Sequence, residues 1–408
     1  MKCFIGCIIG KTMKKQLLFV IESLTLGGAE KSLVTLLNLL DYSKYDVDLI
    51  LFAQGGAFQS LLPKEVNLLP VPDYFAYNAI PWSEAGRKLK EPGKMLAQLR
   101  YSIALRTGKH NHIEKAVLLW QASHRCFDMV PKEYDVAIAY AQGMPTFFVA
   151  EKVKAKKKMA WINVTYLPKG KYLDYIKPMY GRFDYVNAVS ESVMTQMKNT
   201  FDIPEFKTVM IKDILDVDFA RKMAEMKSDV HRLMNGRGVK ILTVGRLASM
   251  KGHDLAIDAA KLLKEKGVDF TWYALGEGSL RSELEARIEA NNVKDRFVLL
   301  GSSNNPYPYF DACDLYVQTS RFEGFGITLA EAKMFRKPIV TTNFDAVGAQ
   351  FINEKNGLIV DISAQAIADG IIRMLTDTQL RDTCIANLRK EKIGNTEEIE
   401  KFYRMVES

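Results

Sequence analysis

QTSRFEGFGITLAEAK, residues 318–333, is the stretch on which the reading of this chain turns. A short apolar run, Leu315-Tyr316-Val317, stands just before it. Two acids, Glu323 and Glu331, have seven residues between them, and Gly324, Phe325 and Gly326 follow the first directly. The pattern predicts a buried strand ending near Val317, a loop over 319–325 and a helix opening near Gly326, with Ile327 and Thr328 at its start. A helix N-terminus offers unpaired backbone N–H groups and the positive end of a dipole, so it is an anion site. Glycines let a ligand come close to the backbone. Glu323 would lie at the mouth of that site. Glu331, about a turn and a half into the helix, would accept hydrogen bonds from sugar hydroxyls. One acid beside a phosphate and a second beside hydroxyls suit a nucleotide-sugar. A solvated helix with two surface acids explains the spacing but not the whole string.

The string resembles the signature of glycosyltransferase family 4, retaining enzymes of the GT-B architecture. Three further pieces match in order: Gly27-Gly28-Ala29-Glu30, then Gly245-Arg246-Leu247 followed by Lys251-Gly252, then Gly276-Glu277-Gly278. The resemblance covers nearly all the chain from about Met13, strongly in the second half and weakly between about 70 and 130. It implies an α/β protein of two Rossmann-like, doubly wound domains facing a cleft. The expected bounds are 13–213 for an acceptor-side domain, 214–392 for a nucleotide-sugar-binding domain, and 393–408 for a helix crossing back to the first. It also implies that the Gly27-Gly28 loop closes over the donor diphosphate and the acceptor, and that loop 301–306 seats the nucleotide base. Where many family 4 enzymes carry a histidine beside the donor sugar, this chain has Asn163. An asparagine still hydrogen-bonds sugar hydroxyls, but it does not titrate near neutral pH.

Length and composition agree with two domains. The chain has 408 residues, 48% of them hydrophobic and 25% charged, too many for one ordinary core. Five scattered cysteines form no metal-ligand pattern and point to a reducing compartment. The net charge of +8 is uneven: residues 1–212 hold 29 Lys/Arg against 19 Asp/Glu, and the remainder 27 against 29. The first half should therefore meet something anionic. No aromatic-basic or recognition-helix signature speaks for nucleic acid. Residues 87–125 carry nine Lys/Arg against Glu91 and Glu114, interleaved with Leu96, Leu99, Tyr101, Ile103, Leu118, Leu119 and Trp120. Two helices near 93–106 and 112–127 with this composition would lie on an anionic membrane surface. The competing reading is a helix pair packed on the core with a basic outer face. No run is long enough to span a bilayer. Residues 1–12 lack a cleavage site and read as an upstream start-site extension of a cytoplasmic protein that meets the membrane only peripherally.

Strands are expected at 17–21, 46–52, 135–140, 159–162, 185–189 and 208–211 in the first domain, with the lysine-rich run 154–158 leading into one of them. The second should carry strands at 239–244, 270–275, 297–300, 315–317, 338–341 and 357–360. Strand, Gly-Gly loop and helix at 17–40 open a doubly wound domain. Gly245 and Arg246 would end the first strand of the second, with Lys251 opening the next helix. A guanidinium and an ammonium converging there make a diphosphate clamp. Gly276 and Gly278 form the next exit loop. His253 reads as a cap or surface residue.

The expected chemistry is transfer of a sugar from a nucleoside diphosphate to a hydroxyl of a glycan or lipid-linked acceptor, with the anomeric configuration kept. Bacterial surface-polysaccharide assembly is the setting that the resemblance implies. Arg246, Lys251 and the helix start after Gly326 would stabilise the leaving diphosphate. Glu323 would bind the transferred sugar, and Glu331 the ribose. No cofactor or metal is called for. Asp46-Val47-Asp48 and Asp216-Val217-Asp218 fit the Asp-x-Asp string of metal-dependent transferases, but their places near a strand and in the linker read as structural. Two rivals stand: a sugar-nucleotide epimerase of the same architecture, and a nucleotide-sugar-binding subunit without turnover. A dehydrogenase is disfavoured, since no G-x-G-x-x-G follows the first strand of either domain.

Overall fold

The structure is a computed structural model that describes residues 13–408 apart from 26, 164–167, 169, 202, 227, 304, 324 and 325. The expectations for residues 1–12, Gly324 and Phe325 lie outside the described residues. Among the described residues thirteen strands form two sheets. The first holds β1 (Lys15–Ile21), β2 (Tyr45–Leu51), β3 (Val66–Leu68), β4 (Glu133–Ala139), β5 (Lys154–Ile162), β6 (Tyr185–Ala188) and β7 (Thr208–Met210), in the order β3-β2-β1-β4-β5-β6-β7. The second holds β8 (Val239–Val244), β9 (Phe270–Leu275), β10 (Phe297–Gly301), β11 (Leu315–Gln318), β12 (Ile339–Thr342) and β13 (Leu358–Val360), in the order β10-β9-β8-β11-β12-β13. Every named strand pair is parallel. The reason lies in the sequence: strands such as β1 and β9 are apolar almost throughout, as a sheet covered by helices on both faces requires. These are the two doubly wound α/β units of the GT-B architecture.

In each sheet the strand order reverses at one place, between β1 and β4 and between β8 and β11. Loops on either side of such a reversal splay apart and leave a crevice at the carboxyl ends of the strands, where α/β proteins bind ligands. The stretch that opened the sequence analysis follows β11, and the Gly245–Lys251 stretch follows β8. The second sheet thus brings both to one crevice.

Two chain segments pass side by side between the domains. Asn395 ties them together, accepting from the Leu215 amide at 2.7 Å and donating to the Asp213 carbonyl at 3.1 Å. The last helix, Glu398–Glu407, then packs on the first sheet. Phe402 is fully buried against Phe19, and Lys15 bonds both Glu407 and the Val406 carbonyl.

Two expectations change. The lysine run at 154–158 is not a lead-in but the first half of β5, where Lys156 reaches Asp135 of β4 at 2.7 Å. The strand β3 went unnoticed because three residues set among prolines carry too little alternation. The basic helix pair also divides. In Pro92–Leu105, Met95, Leu96, Leu99 and Ile103 stand exposed, whereas in His112–Ser123 the residues Ile113, Val117 and Trp120 are core. Trp120 lies stacked on Phe127 and donates to Glu151, so the second helix offers no apolar face to a membrane.

Candidate active site

The crevice of the second sheet is built by its two loops bracing each other. Thr319 donates to the Lys251 carbonyl at 2.9 Å, and Arg321 holds Asp254 through both carboxylate oxygens at 2.8 and 2.7 Å. Arg321 also donates to the Ser249 carbonyl, and Thr342 to that of Ser320. A bidentate guanidinium–carboxylate pair fixes direction as well as distance, so loop 319–323 and the turn before helix His253–Glu265 move as one piece. Gly252 has φ +66°, and a Cβ there would sit 2.0 Å from the Thr319 carbonyl oxygen. Only glycine permits both that conformation and that approach.

This frame carries the central ion pair. Lys251 donates to the two oxygens of Glu323 at 2.7 and 2.8 Å. Gln318 and Ser320 add donors to the same carboxylate at 2.7 and 2.6 Å. Glu323 keeps 9% of its side chain exposed and Lys251 16%, so the pair is largely shielded from solvent. The sequence predicted that Lys251 and Glu323 serve separate parts of a ligand. The structure brings them into one pair, in which the ammonium has a third N–H left over. Arg246, the other expected cation, stands exposed on the loop after β8 and near enough to Glu30 and His112 of the first domain to act on their charges.

The glycines of the expected site fall into two groups. Gly276 and Gly278 brace the loop from behind: a Cβ would lie 1.9 Å from the Gly245 carbonyl oxygen in the first case and 2.4 Å from that of Leu247 in the second. Gly245 itself lies under the Lys251 stem. Gly27, Gly28 and Gly326 lie at the seam between domains. Beside Gly27 the space of a side chain is filled by the Glu30 carboxylate, and beside Gly28 by Ile327 of the second domain, 3.2 Å from where a Cβ would be. Gly326 caps helix Ile327–Met334 at φ +81°. Thr328, one residue on from Ile327, bonds Gln318 at 3.3 Å.

Glu331 is where expectation and structure part furthest. Its side chain is 2% exposed and forms an ion pair with Lys31, from the first domain's helix Gly28–Leu39. The Tyr307 hydroxyl donates to the same oxygen at 3.3 Å, and the Lys31 ammonium sits 4.1 Å above the Tyr307 ring. The other oxygen of Glu331 is buried with no partner among the described residues. Lys31 was not expected in the site. It follows Glu30 directly in the Gly-Gly-Ala-Glu motif, but only the meeting of the two domains reveals its partner.

Asn163 ends β5 and donates to the Tyr140 carbonyl at 2.9 Å, while its oxygen is buried without a partner among the described residues. The chain beyond it, 164–167, lies outside the described residues. His253 is not on the surface: it is 2% exposed beneath the Gly245–Arg246 backbone, and burial pushes its pKa down to about 4. Asp213, buried in the linker, is pushed up to about 6 by burial. Of the Asp-x-Asp strings, Asp48 is occupied by Lys132, Asn67 and Tyr134, and Asp216 caps helix Val217–Ala224. Among the described residues no three metal-ligating side chains gather.

Residues 229–391 match the model of the family Glycosyl transferases group 1. A 4-alpha-N-acetylgalactosaminyltransferase of Campylobacter jejuni, acting on an N-acetylgalactosamine-N,N'-diacetylbacillosaminyl-diphospho-undecaprenol, is 36% identical over 143 residues, which is 35% of this chain and 38% of that protein. The poly(ribitol-phosphate) alpha-N-acetylglucosaminyltransferase of Staphylococcus aureus is 24% identical over 239 residues, 57% of this chain and 46% of that one. The matched stretches thus span less than half the length of these relatives. The crystal structure of Anabaena HepE in complex with UDP-glucose superposes with a TM-score of 0.68 at 19% identity, over 96% of this chain and 98% of that one, and shares its fold. These likenesses support a group 1 glycosyltransferase.

Proposed function

We propose that the chain is a retaining, family 4 glycosyltransferase. It moves a sugar from a nucleoside diphosphate to a hydroxyl of a glycan or lipid-linked acceptor in bacterial surface-polysaccharide assembly. The observation that carries this reading is the Glu323–Lys251 pair, held by Gln318 and Ser320 at the strand-order reversal of the second sheet. A carboxylate fixed by three donors and largely enclosed has a set direction before any ligand arrives. Lys251's spare N–H and the exposed Arg246 guanidinium are the donors assigned to the charge that gathers on a leaving diphosphate. Glu323 holds the transferred sugar between them, and Glu331 binds the ribose. The relatives, named as sugar transferases, support the transfer, and the UDP-glucose-bound neighbour supports a nucleotide-sugar as donor.

The two rivals predict different products. Incubation with a panel of nucleotide-sugars, with and without a polyprenyl-diphosphate glycan, separates them. The transferase releases nucleoside diphosphate in proportion to acceptor extended. An epimerase changes the sugar with no acceptor present, and a binding subunit releases nothing.

The partner on the acceptor side is an anionic membrane surface, met through the first helix of the basic pair alone. Leu96, Leu99 and Ile103 are exposed at spacings that put them on one helix face, and Lys90, Arg100, Arg106 and Lys109 are exposed around them. No helix among the described residues is long and apolar enough to cross a membrane. The proposed contact is peripheral, on the cytoplasmic face.

A further inference from the structure

Lys31 and Glu331 form a buried ion pair between the two domains, at the spot the proposed donor site reserves for the ribose. Lys31 rides on the first domain and keeps 13% of its side chain exposed; Glu331 rides on the second and keeps 2%. Beside them lies a cavity of about 10 Å³, lined by Ser32, Asp216, Tyr307 and Ile327 among others. That is room for about one water molecule. A ribose therefore cannot reach the Glu331 carboxylate while Lys31 occupies it. The unpartnered second oxygen of Glu331 shows that the carboxylate has hydrogen-bonding capacity the protein leaves unused.

We propose that Lys31 is an internal occupant of the ribose subsite: it clasps the two domains through Glu331 when no nucleotide is present, and the ribose hydroxyls of the incoming donor displace it. This rests on the donor-site reading above and adds to it an exchange and a domain movement. One ammonium leaves a carboxylate oxygen, and two hydroxyl donors can then use both oxygens. The clasp is also releasable, because burial pushes the Lys31 pKa down and so works against the charged pair that Glu331 favours. Its release has somewhere to go. Gly28 meets Ile327 across the same seam, and the Asn395-bound linker segments beyond it supply the hinge.

A ligand whose binding-competent state is only fractionally populated binds more weakly by that fraction. Lys31→Met keeps the stem over Tyr307 and removes the charge that competes. The experiment is calorimetric titration of the native chain, Lys31→Met and Lys31→Gln with UDP, uridine and pyrophosphate, with GDP replacing UDP and guanosine replacing uridine if the native chain prefers them. The proposal predicts that the nucleoside and its diphosphate bind tighter to both variants by about tenfold, and pyrophosphate binds unchanged. The gain should vanish in a Glu331→Gln background. Equal or weaker nucleoside binding overturns the exchange, as does a loss confined to pyrophosphate, which would place Lys31 on phosphate. Either variant alone decides the matter if the other does not fold. The donor-site reading fails separately: it falls if the native chain binds no nucleoside diphosphate, or if Glu331→Ala leaves that affinity untouched.

Discussion

Glu323 and Glu331 stand close together in sequence, yet they sit in two unlike regions. Glu323 draws Lys251, Gln318 and Ser320 from its own domain, on loops cross-braced by Arg321, Asp254 and Thr319. Glu331 draws its cation from the other domain and keeps one oxygen unmet among the described residues. The first arrangement needs no contact between the domains; the second exists only while they touch. On the proposed reading, the difference separates a site set for the chemical step from a site that registers what lies in the cleft. It also argues that the reacting end of the donor meets a rigid surface while the nucleoside end meets a movable one.

The comparison is broken most easily at the rigid end. Glu323→Gln keeps the shape and most hydrogen bonds but removes the charge, and it should cut turnover about 100-fold or more if the carboxylate acts mainly in the transition state. Normal turnover would take Glu323 out of the chemistry. Arg246→Ala comes next. It should weaken nucleoside diphosphate binding by about 10- to 100-fold, the range for a charge-assisted hydrogen bond, and leave nucleoside binding alone. Equal loss of both would mean that Arg246 does not touch phosphate.

A smaller effect is expected at the first domain's surface. The native chain should sediment with anionic vesicles and come off as salt rises, and Leu99→Ser, which touches neither acid, should lower the bound fraction several-fold. Failure to bind at low salt would leave the exposed leucines without a membrane partner. The smallest effect is on stability against pH. The Asp213 pKa is raised to about 6, so the native state holds its proton longer than the unfolded chain, and stability falls as pH rises from about 4 to 6. The His253 pKa is lowered to about 4, so its contribution runs the other way and stability rises across the same window. The two oppose each other. Asp213→Asn should leave a melting temperature that climbs with pH, and His253→Gln one that declines; a flat profile in both would remove this account of the buried pair.

Much of this was legible in the sequence, because apolar runs between turn residues announce strands and the two motifs follow strands that a doubly wound sheet must place side by side. Lys251 and Glu323 were both visible, but their pairing was not, since nothing local says that loops after β8 and β11 meet. The basic helices show the same limit from another side. Leu96, Leu99 and Ile103 and the buried set Ile113, Val117 and Trp120 have nearly the same helical spacing. Periodicity gives a face, and only packing decides whether that face turns inward. Gly276 and Gly278 were legible as an exit loop, but not that the carbonyls of Gly245 and Leu247 fill the space beside them. Lys31 was missed for the plainest reason: its partner lies in the other domain.

The most direct test of the division between the two acids is one titration of UDP into the native chain, Glu323→Gln and Glu331→Ala. Glu323→Gln should bind within about twofold of native, because the carboxylate serves the sugar and the developing charge. Glu331→Ala should lose about tenfold, the lower end for a charge-assisted hydrogen bond, because Lys31 already competes for that carboxylate. Equal losses in the two variants, or a loss confined to Glu323→Gln, would contradict the account.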